Sequence, residues 1–346
     1  MVFGAISGMV ASLGDPYTVF LPPDQNKEAK DDLGGKFEGI GAQLGIKDKK
    51  IVVVAPLKGT PADKAGLKPG DWIIKVDGKE TFNWTLPETV SKIRGPKNSK
   101  VLLNIMHKDS SKSADLEVVR DDIKVASVDW YMNNVKCQNL NENCQIIKES
   151  CASCRKIVYL QLGKFGDQTT DEWKKAIAEI GKELQKSPSE IKGMILDLRN
   201  NPGGYLSASV YIASEFLSDG IVVIQESVNQ SQQQYKVNRK GDLLKIPLVV
   251  LINKGSASAS EIVAGSLQDR GRAKLVGETS FGKGTIQEPQ ELPGGAGIHI
   301  TTAKWLLPSG IWINGTGVIP DVKIENDEAK PEEDLQLEKG IETLLK

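Results

Sequence analysis

The chain has 346 residues, with 44 basic and 45 acidic side chains and a formal net charge of −1. That length exceeds one small core and suits two or three domains, and the balanced charge leaves no electrostatic footprint for nucleic acid. No apolar run reaches the ~18 residues that a membrane-spanning helix needs, and 34 glycines fit a loop-rich enzyme or a β-rich module.

The first predicted element is a helix. Phe3, Ile6, Met9, Val10 and Leu13 recur at helical spacing, and Gly14-Asp15-Pro16 stops the pattern. The segment has no basic n-region and reads as an amphipathic helix rather than a signal peptide. Residues 31–122 then carry strand-like runs at 51–54, 72–76 and 101–106, turn signals at 68–71 and at Asp77-Gly78, and a helix over 85–94. The stretch GTPADKAGLKPGDWIIKVDGK resembles a PDZ domain of the permuted type found in bacterial proteases. That resemblance places the carboxylate-binding loop and its strand at 37–44, with Phe37, Gly39, Ile40, Gly41 and Ala42 as the peptide-binding residues. Successive backbone N–H groups there would hold a C-terminal carboxylate while the peptide pairs as an added strand.

Residues 133–156 are polar and contain all four cysteines, Cys137, Cys144, Cys151 and Cys154. Three readings stay open for this surface segment: two disulfides in an exported enzyme, a four-thiolate structural zinc for which only the CASC end has typical spacing, or free or redox-active thiols. A strand over 157–162 and a helix over 170–185 follow. The helix has Trp173, Ile177, Ile180 and Leu184 as its apolar face.

Two strand–turn–helix units come next. The run 194–198 ends in Arg-Asn-Asn-Pro-Gly-Gly before a helix over 206–216. No GxxxxGK[ST] pattern is present, so a phosphate cradle is disfavoured. After a strand at 221–225 and a polar, mobile or hairpin-bearing loop at 227–241, the buried-strand pattern of Leu248–Ile252 leads through a small-residue turn into a helix over 260–270. A serine at that turn faces the free N–H groups of a helix start, which can stabilise an oxyanion. Ser256, Ser258 and Ser260 are all present. The base is a separate matter. Neither His107 nor His299 lies in a polar or glycine-rich context, so a lysine made neutral by burial is favoured. Lys283, between Gly282 and Gly284, is the natural candidate. Residues 288–297 read as a turn region, 298–305 as a strand with His299 on its surface, and 332–345 as a terminal helix.

NKGSASASEIVAGSLQD followed by TSFGKGTIQ resembles the carboxyl-terminal processing proteases, serine peptidases with a Ser/Lys dyad. The resemblance implies Ser258 as nucleophile, Lys283 as base and Gln287 as the side chain that positions the lysine. LDLRNNPGG matches the family's oxyanion loop, which implies one donor from Gly203 or Gly204 and the other from the N–H of Ala259. The implied fold is α+β and multidomain: a helical N-terminal segment (1–30), a β-rich PDZ module (31–122) inserted in an α/β crotonase-like, ClpP-related body (123–325), and a C-terminal helix (326–346). Against that pattern the cysteine segment is an insertion, and the chain is expected to begin inside the N-terminal segment of an exported or membrane-anchored, periplasmic or extracytoplasmic enzyme. The implied activity is hydrolysis of peptide bonds near protein C-termini, without a cofactor, on unfolded or C-terminally exposed proteins, with self-association through terminal helices. Two rivals are a non-catalytic peptide-binding scaffold and crotonase-type acyl-CoA chemistry. The dyad spacing and the PDZ text disfavour the second.

Overall fold

The computed structural model describes residues 2–47, 50–57, 59–107, 110, 112–139, 142–147, 154–327, 330 and 333–346. The architecture is mixed α+β, in two compact units: Gly35–Val125, and Met1–Gly34 together with Ala126–Lys346.

In the smaller unit an antiparallel sheet runs in the order Ala42–Lys47, Lys50–Pro56, Trp72–Val76, Lys100–Met106, Ser113–Val119, with Lys79–Glu80 paired to Trp72–Val76. Alternation sets its buried face. In Lys100–Met106, Val101, Leu103 and Ile105 point into the core while their neighbours do not. The ladder of Lys36–Gly39 with Asp121–Lys124 ties the start of the unit to its end. The helix Leu86–Ile93 is capped by Thr85, whose hydroxyl accepts the Glu88 N–H at 3.3 Å.

The larger unit is built on a sheet in the order Glu142–Ile147, Val128–Asn139, Arg155–Leu162, Ile191–Asp197, Leu248–Ile252, Lys274–Gly277, Val322–Lys323. From Arg155–Leu162 onward the pairing is parallel. Both faces of its centre are covered, which is why Leu248–Ile252 is an unbroken apolar run rather than an alternating one. Val250, Ile252 and Leu196 pack with the helices Thr169–Lys186, Leu206–Ala213 and Ala259–Asp269. Val249, Leu251 and Ile195 pack with Ile341 of the C-terminal helix Leu335–Leu345. Asp334 caps that helix and also holds Arg199 (2.7 Å), which in turn pairs with buried Asp197 (2.6 Å).

A second, antiparallel sheet in this unit runs Val19–Leu21, Gly297–Leu306, Ile221–Ser227, Gln232–Lys236, with Thr285–Glu291 also paired to Gly297–Leu306. The segment after the first helix, Val2–Ala11, is therefore woven into the body through Val19–Leu21.

The hairpin-bearing reading of 227–241 holds: Ile221–Ser227 and Gln232–Lys236 pair antiparallel, and the polar text of the second strand (QQQYK) carries no apolar alternation because it is an edge. Two expectations need correction. The turn region at 288–297 is partly the strand Thr285–Glu291. Pro289 is tolerated there because the strand has a partner on one side only. The cysteine segment is not a plain polar loop: Val128–Asn139 and Glu142–Ile147 form a hairpin in which Val135 and Cys144 are buried and Lys136 and Gln145 are not.

Candidate active site

The buried strand Leu248–Ile252 delivers the chain to a turn whose last residue is Ser258. Its backbone sits at φ 55°, ψ −115°, a region that L side chains rarely adopt. The helix Ala259–Asp269 starts immediately after it. The flanking serines are consumed by the backbone. Ser256 Oγ donates to the Leu198 carbonyl (2.8 Å) and accepts the Asn253 N–H (3.0 Å). Ser260 Oγ reaches the carbonyls of Ala257 (2.7 Å) and Asn201 (2.9 Å). Both are fully buried, whereas Ser258 lines a cavity of about 240 Å³.

The glycine loop after Asp197 is stitched to this turn. Buried Asn201 donates to the Leu162 carbonyl (2.7 Å), accepts the Gly203 N–H on Oδ1 (2.9 Å), and accepts the Ala257 N–H on its own carbonyl (2.9 Å). Gly203 has φ +97°, and a Cβ there would lie 2.6 Å from the Ala257 carbonyl and 2.8 Å from Ser258 Cβ, so only glycine fits. The Gly203 N–H is thus engaged, while the Gly204 N–H meets no acceptor among the described residues. The N–H of Ala259, at the first helical position, has no intrahelical acceptor either.

Glu261 joins the Ser258 turn and the lysine loop. It is fully buried, and four donors converge on its carboxylate: the N–H of Ser258 (2.7 Å), the hydroxyl of Ser280 (2.6 Å), and the N–H groups of Gly282 (2.6 Å) and Lys283 (2.9 Å). Trp305 Nε1 donates to the Lys283 carbonyl (3.0 Å), and Trp312 Nε1 to that of Gly284 (2.8 Å). Gly282 (φ +88°) and Gly284 leave no room for a Cβ against Gly317 and Trp312.

Lys283 lines the same cavity as Ser258 and is half-buried. Burial lowers its pKa below the ordinary lysine value, and the charges of Glu261 and Asp15 oppose that shift. Its Nζ lies 5.1 Å from the centroid of the Tyr17 ring. Gln287 lines the cavity as well, its Nε2 donating to the hydroxyls of Thr285 (2.9 Å) and Thr301 (3.1 Å). Gly204, Ala259, Ser258, Lys283 and Gln287 therefore share one cavity, with an apolar wall of Ile262, Ile286 and Trp305; Gly203 stands behind the turn rather than in the lining. His299 sits on Gly297–Leu306, its pKa lowered by burial and by Lys283. His107 belongs to the smaller unit, where its Nδ1 pairs with Asp71 (2.8 Å).

Within the smaller unit a groove of about 330 Å³ is lined by Phe37, Ile40, Gly41 and Ala42, with Arg94 stacked on Phe37. The carbonyls of Ile40 and Gly41 accept from Ala62 and Leu57, and the Gly41 N–H meets no acceptor among the described residues. Gly39 does not line the groove; it pairs with Asp121. Cys137 and Cys144 form a disulfide, which removes both as thiolate ligands. Cys154 is disulfide-bonded too, and Cys151 lies outside the described residues.

Residues 156–324 match the family model for peptidase family S41, and residues 52–105 match a PDZ domain. The carboxy-terminal-processing protease of Bartonella bacilliformis is 36% identical over 326 residues, which cover 94% of this chain and 70% of that protein. The chain belongs to the carboxy-terminal processing protease family, peptidase family S41. Two further members of the family, carboxy-terminal processing proteases CtpA and CtpB of Bacillus subtilis (strain 168), are 38% and 35% identical; the matches cover 94% and 98% of this chain. The chain spans 64% and 66% of their length, just under two thirds. Among solved structures, the photosystem II D1 C-terminal processing protease is similar with a TM-score of 0.60 at 31% identity, over 99% of this chain and 85% of that one.

In this member of the family the sequence reading missed Glu261 and the residues behind Gln287, and placed Asn201 in the oxyanion loop without its hydrogen bonds. For Glu261 a signal existed: Ser258 and an acidic residue three positions on are the spacing of a capping box. Asp15 and Thr18 gave no such signal, because Gly14-Asp15-Pro16 reads only as a helix stop.

Proposed function

We propose that this chain is a serine endopeptidase that hydrolyses peptide bonds near protein C-termini with Ser258 as nucleophile and Lys283 as general base. The observation that carries the reading is the shared cavity: a serine on a strained helix-start turn and a half-buried lysine of lowered pKa line the same space. Neutral Lys283 takes the proton of Ser258 as its Oγ attacks the scissile carbonyl. The developing oxyanion is held by the N–H of Ala259 and that of Gly204, the better donor of the glycine pair because the Gly203 N–H is already given to Asn201. Protonated Lys283 then supplies a proton to the leaving amine, and water resolves the acyl-enzyme. Gln287 positions the lysine. The apolar wall beside Ser258 suits an uncharged side chain next to the cut bond.

In the same proposal the PDZ unit recognises substrate C-termini. The open N–H of Gly41 meets the carboxylate and Phe37, Ile40 and Ala42 flank the peptide; Gly39 serves the ladder instead. Substrates are unfolded or C-terminally exposed proteins. An extracytoplasmic location is supported by the disulfides, and self-association through the terminal helices by the exposed Phe3, Met9 and Leu13. The body is proposed to be crotonase-like, supported by its repeated strand–turn–helix arrangement at 191–213 and 248–269.

The test is digestion of an unstructured protein by the parent and by Ser258→Ala and Lys283→Ala, with the cut sites mapped. Both variants are expected to lose roughly 10⁴-fold in rate or more. Cleavage by Ser258→Ala at the parent rate overturns the reading, and absence of cleavage by parent and variant alike leaves the peptide-binding scaffold.

A further inference from the structure

Gln287 has one carboxamide and two faces to offer. If its oxygen faces the lysine, it accepts an N–H; if its NH₂ does, it repels an ammonium. Both Nε2 hydrogens are spent on the hydroxyls of Thr285 and Thr301, which leaves Oε1 as the free end of the group. What holds Thr301 in place lies in the turn after the first helix.

Asp15 Oδ2 accepts the Thr18 hydroxyl at 2.6 Å, and Oδ1 accepts the Tyr17 N–H at 3.2 Å. A carboxylate only accepts, so the Thr18 hydrogen is committed to it and the Thr18 oxygen is left to accept. It does accept, from the N–H of Thr301 at 3.1 Å. Thr18 is buried, and the adjacent pairing of Val19 with His299 holds the turn against the same strand. Thr18 and the nearby Thr301 help keep the Asp15 carboxyl below the usual range against the opposing effect of burial. Thr301, held by its N–H to Thr18, accepts Nε2 of Gln287 on Oγ1.

We propose that Asp15, acting through Thr18 and Thr301, is a positioning residue of the dyad: it fixes the Gln287 carboxamide with its oxygen toward Lys283, while Tyr17 on the same turn covers the amine. The inference rests on the Ser258/Lys283 reading and deepens it. The chemistry is coherent. A base must be neutral at rest yet welcome a proton in the transition state. Burial supplies the first property. The Gln287 oxygen, the face of Tyr17 and the charge of Asp15 supply the second.

The groups that face Lys283 are Glu261 from the nucleophile helix, Asp15 and Tyr17 from the N-terminal turn, and His299 from the neighbouring strand. Of these, only Asp15 reaches Gln287 through the two threonines. Removing its charge also removes a contribution that holds the Lys283 pKa up, so the two consequences separate by variant.

The experiment uses the full chain, with pH-rate profiles for digestion of an unstructured protein and thermal unfolding by circular dichroism. Thr301→Val keeps the Asp15 charge and deletes the relay. It is expected to lower kcat about tenfold with KM and the acid limb of the profile unchanged, and Thr301→Ser to restore the rate to within about twofold. Asp15→Asn is expected to lower kcat similarly and also to move the acid limb to lower pH by about half a unit. Folded Thr301→Val with parent kcat overturns the inference, as does Asp15→Asn with parent kcat and an unmoved limb. If either variant fails to fold, the other decides. If Ser258→Ala keeps the parent rate, it is the dyad reading that fails, not the relay alone.

Discussion

Glu261 Oε2 accepts the backbone N–H of Lys283 at 2.9 Å, and the same oxygen accepts that of Ser258 at 2.7 Å. One buried carboxylate therefore fixes the separation of the two segments that carry the proposed nucleophile and base. Glu261→Gln keeps the volume but replaces one acceptor oxygen with a donor NH₂, so at least one N–H of the dyad segments is orphaned. Each such loss costs about 1–3 kcal/mol. The expected outcome is a lower melting temperature and a loss of activity of roughly 100-fold or more, read by thermal unfolding and substrate digestion. Parent values in both would show that the carboxylate does not organise the site.

Gly203→Ala probes the other wall. The added methyl would meet the Ala257 carbonyl at 2.6 Å, Ser258 Cβ at 2.8 Å and the Ala259 nitrogen at 2.9 Å, all backbone or near-backbone atoms that cannot swing away. Alanine is also strained at φ +97°. We expect a stability loss of about 1–3 kcal/mol and an activity loss far larger than that stability loss explains, because the displaced atoms belong to the proposed nucleophile and one proposed oxyanion donor. Equal activity per folded molecule, measured by active-site titration, would contradict this.

The units of the fold that bury apolar residues were legible in the text, and so were the residues of the proposed dyad. Leu248–Ile252 and the helix after it are continuous in sequence, so strand, serine turn and helix could be read together. Lys283 stood out by its flanking glycines, each of which proves to face a close approach. What stayed hidden is what long-range contact creates. Thr285–Glu291 carries a proline and is a strand because Gly297–Leu306 templates it. Asp15 and Thr301 are 286 positions apart, and only the pairing of Val19–Leu21 with Gly297–Leu306 brings them together.

The disulfide should matter to the hairpin and not to the chemistry. Cys137 and Cys144 are directly paired across the hairpin at the edge of the sheet opposite to Val322–Lys323, with the strand that leads to Ser258 three strands in from the hairpin pair. The closed loop is short, with a sequence separation of 7, so chain-entropy arguments allow at most about 2.5 kcal/mol. The double variant Cys137→Ser/Cys144→Ser is expected to melt a few degrees lower and to digest substrate at the parent rate at room temperature. A large fall in kcat with little change in melting temperature would mean that the hairpin reaches the site.

The lowered pKa of Lys283 makes a linked pair of predictions. Burial penalises the ammonium, so the folded chain releases this proton at lower pH than the unfolded chain, whose lysine titrates near 10.5. Below the folded value the lysine is charged in both states and the penalty is full. Between the two values the unfolded state binds more protons, so stability rises with pH, and above 10.5 the penalty is gone. Activity follows the neutral amine and must also rise with pH through the folded value. Lys283→Met, which fills the same space without a charge, should therefore be inactive yet melt higher than the parent at neutral pH, by on the order of 1 °C. That advantage should shrink as pH approaches 10.5. Melting temperatures and digestion rates across pH 6–10 check both halves together. If the melting advantage were absent at neutral pH while activity still rose with pH, some group other than a desolvated Lys283 would be setting the acid limb.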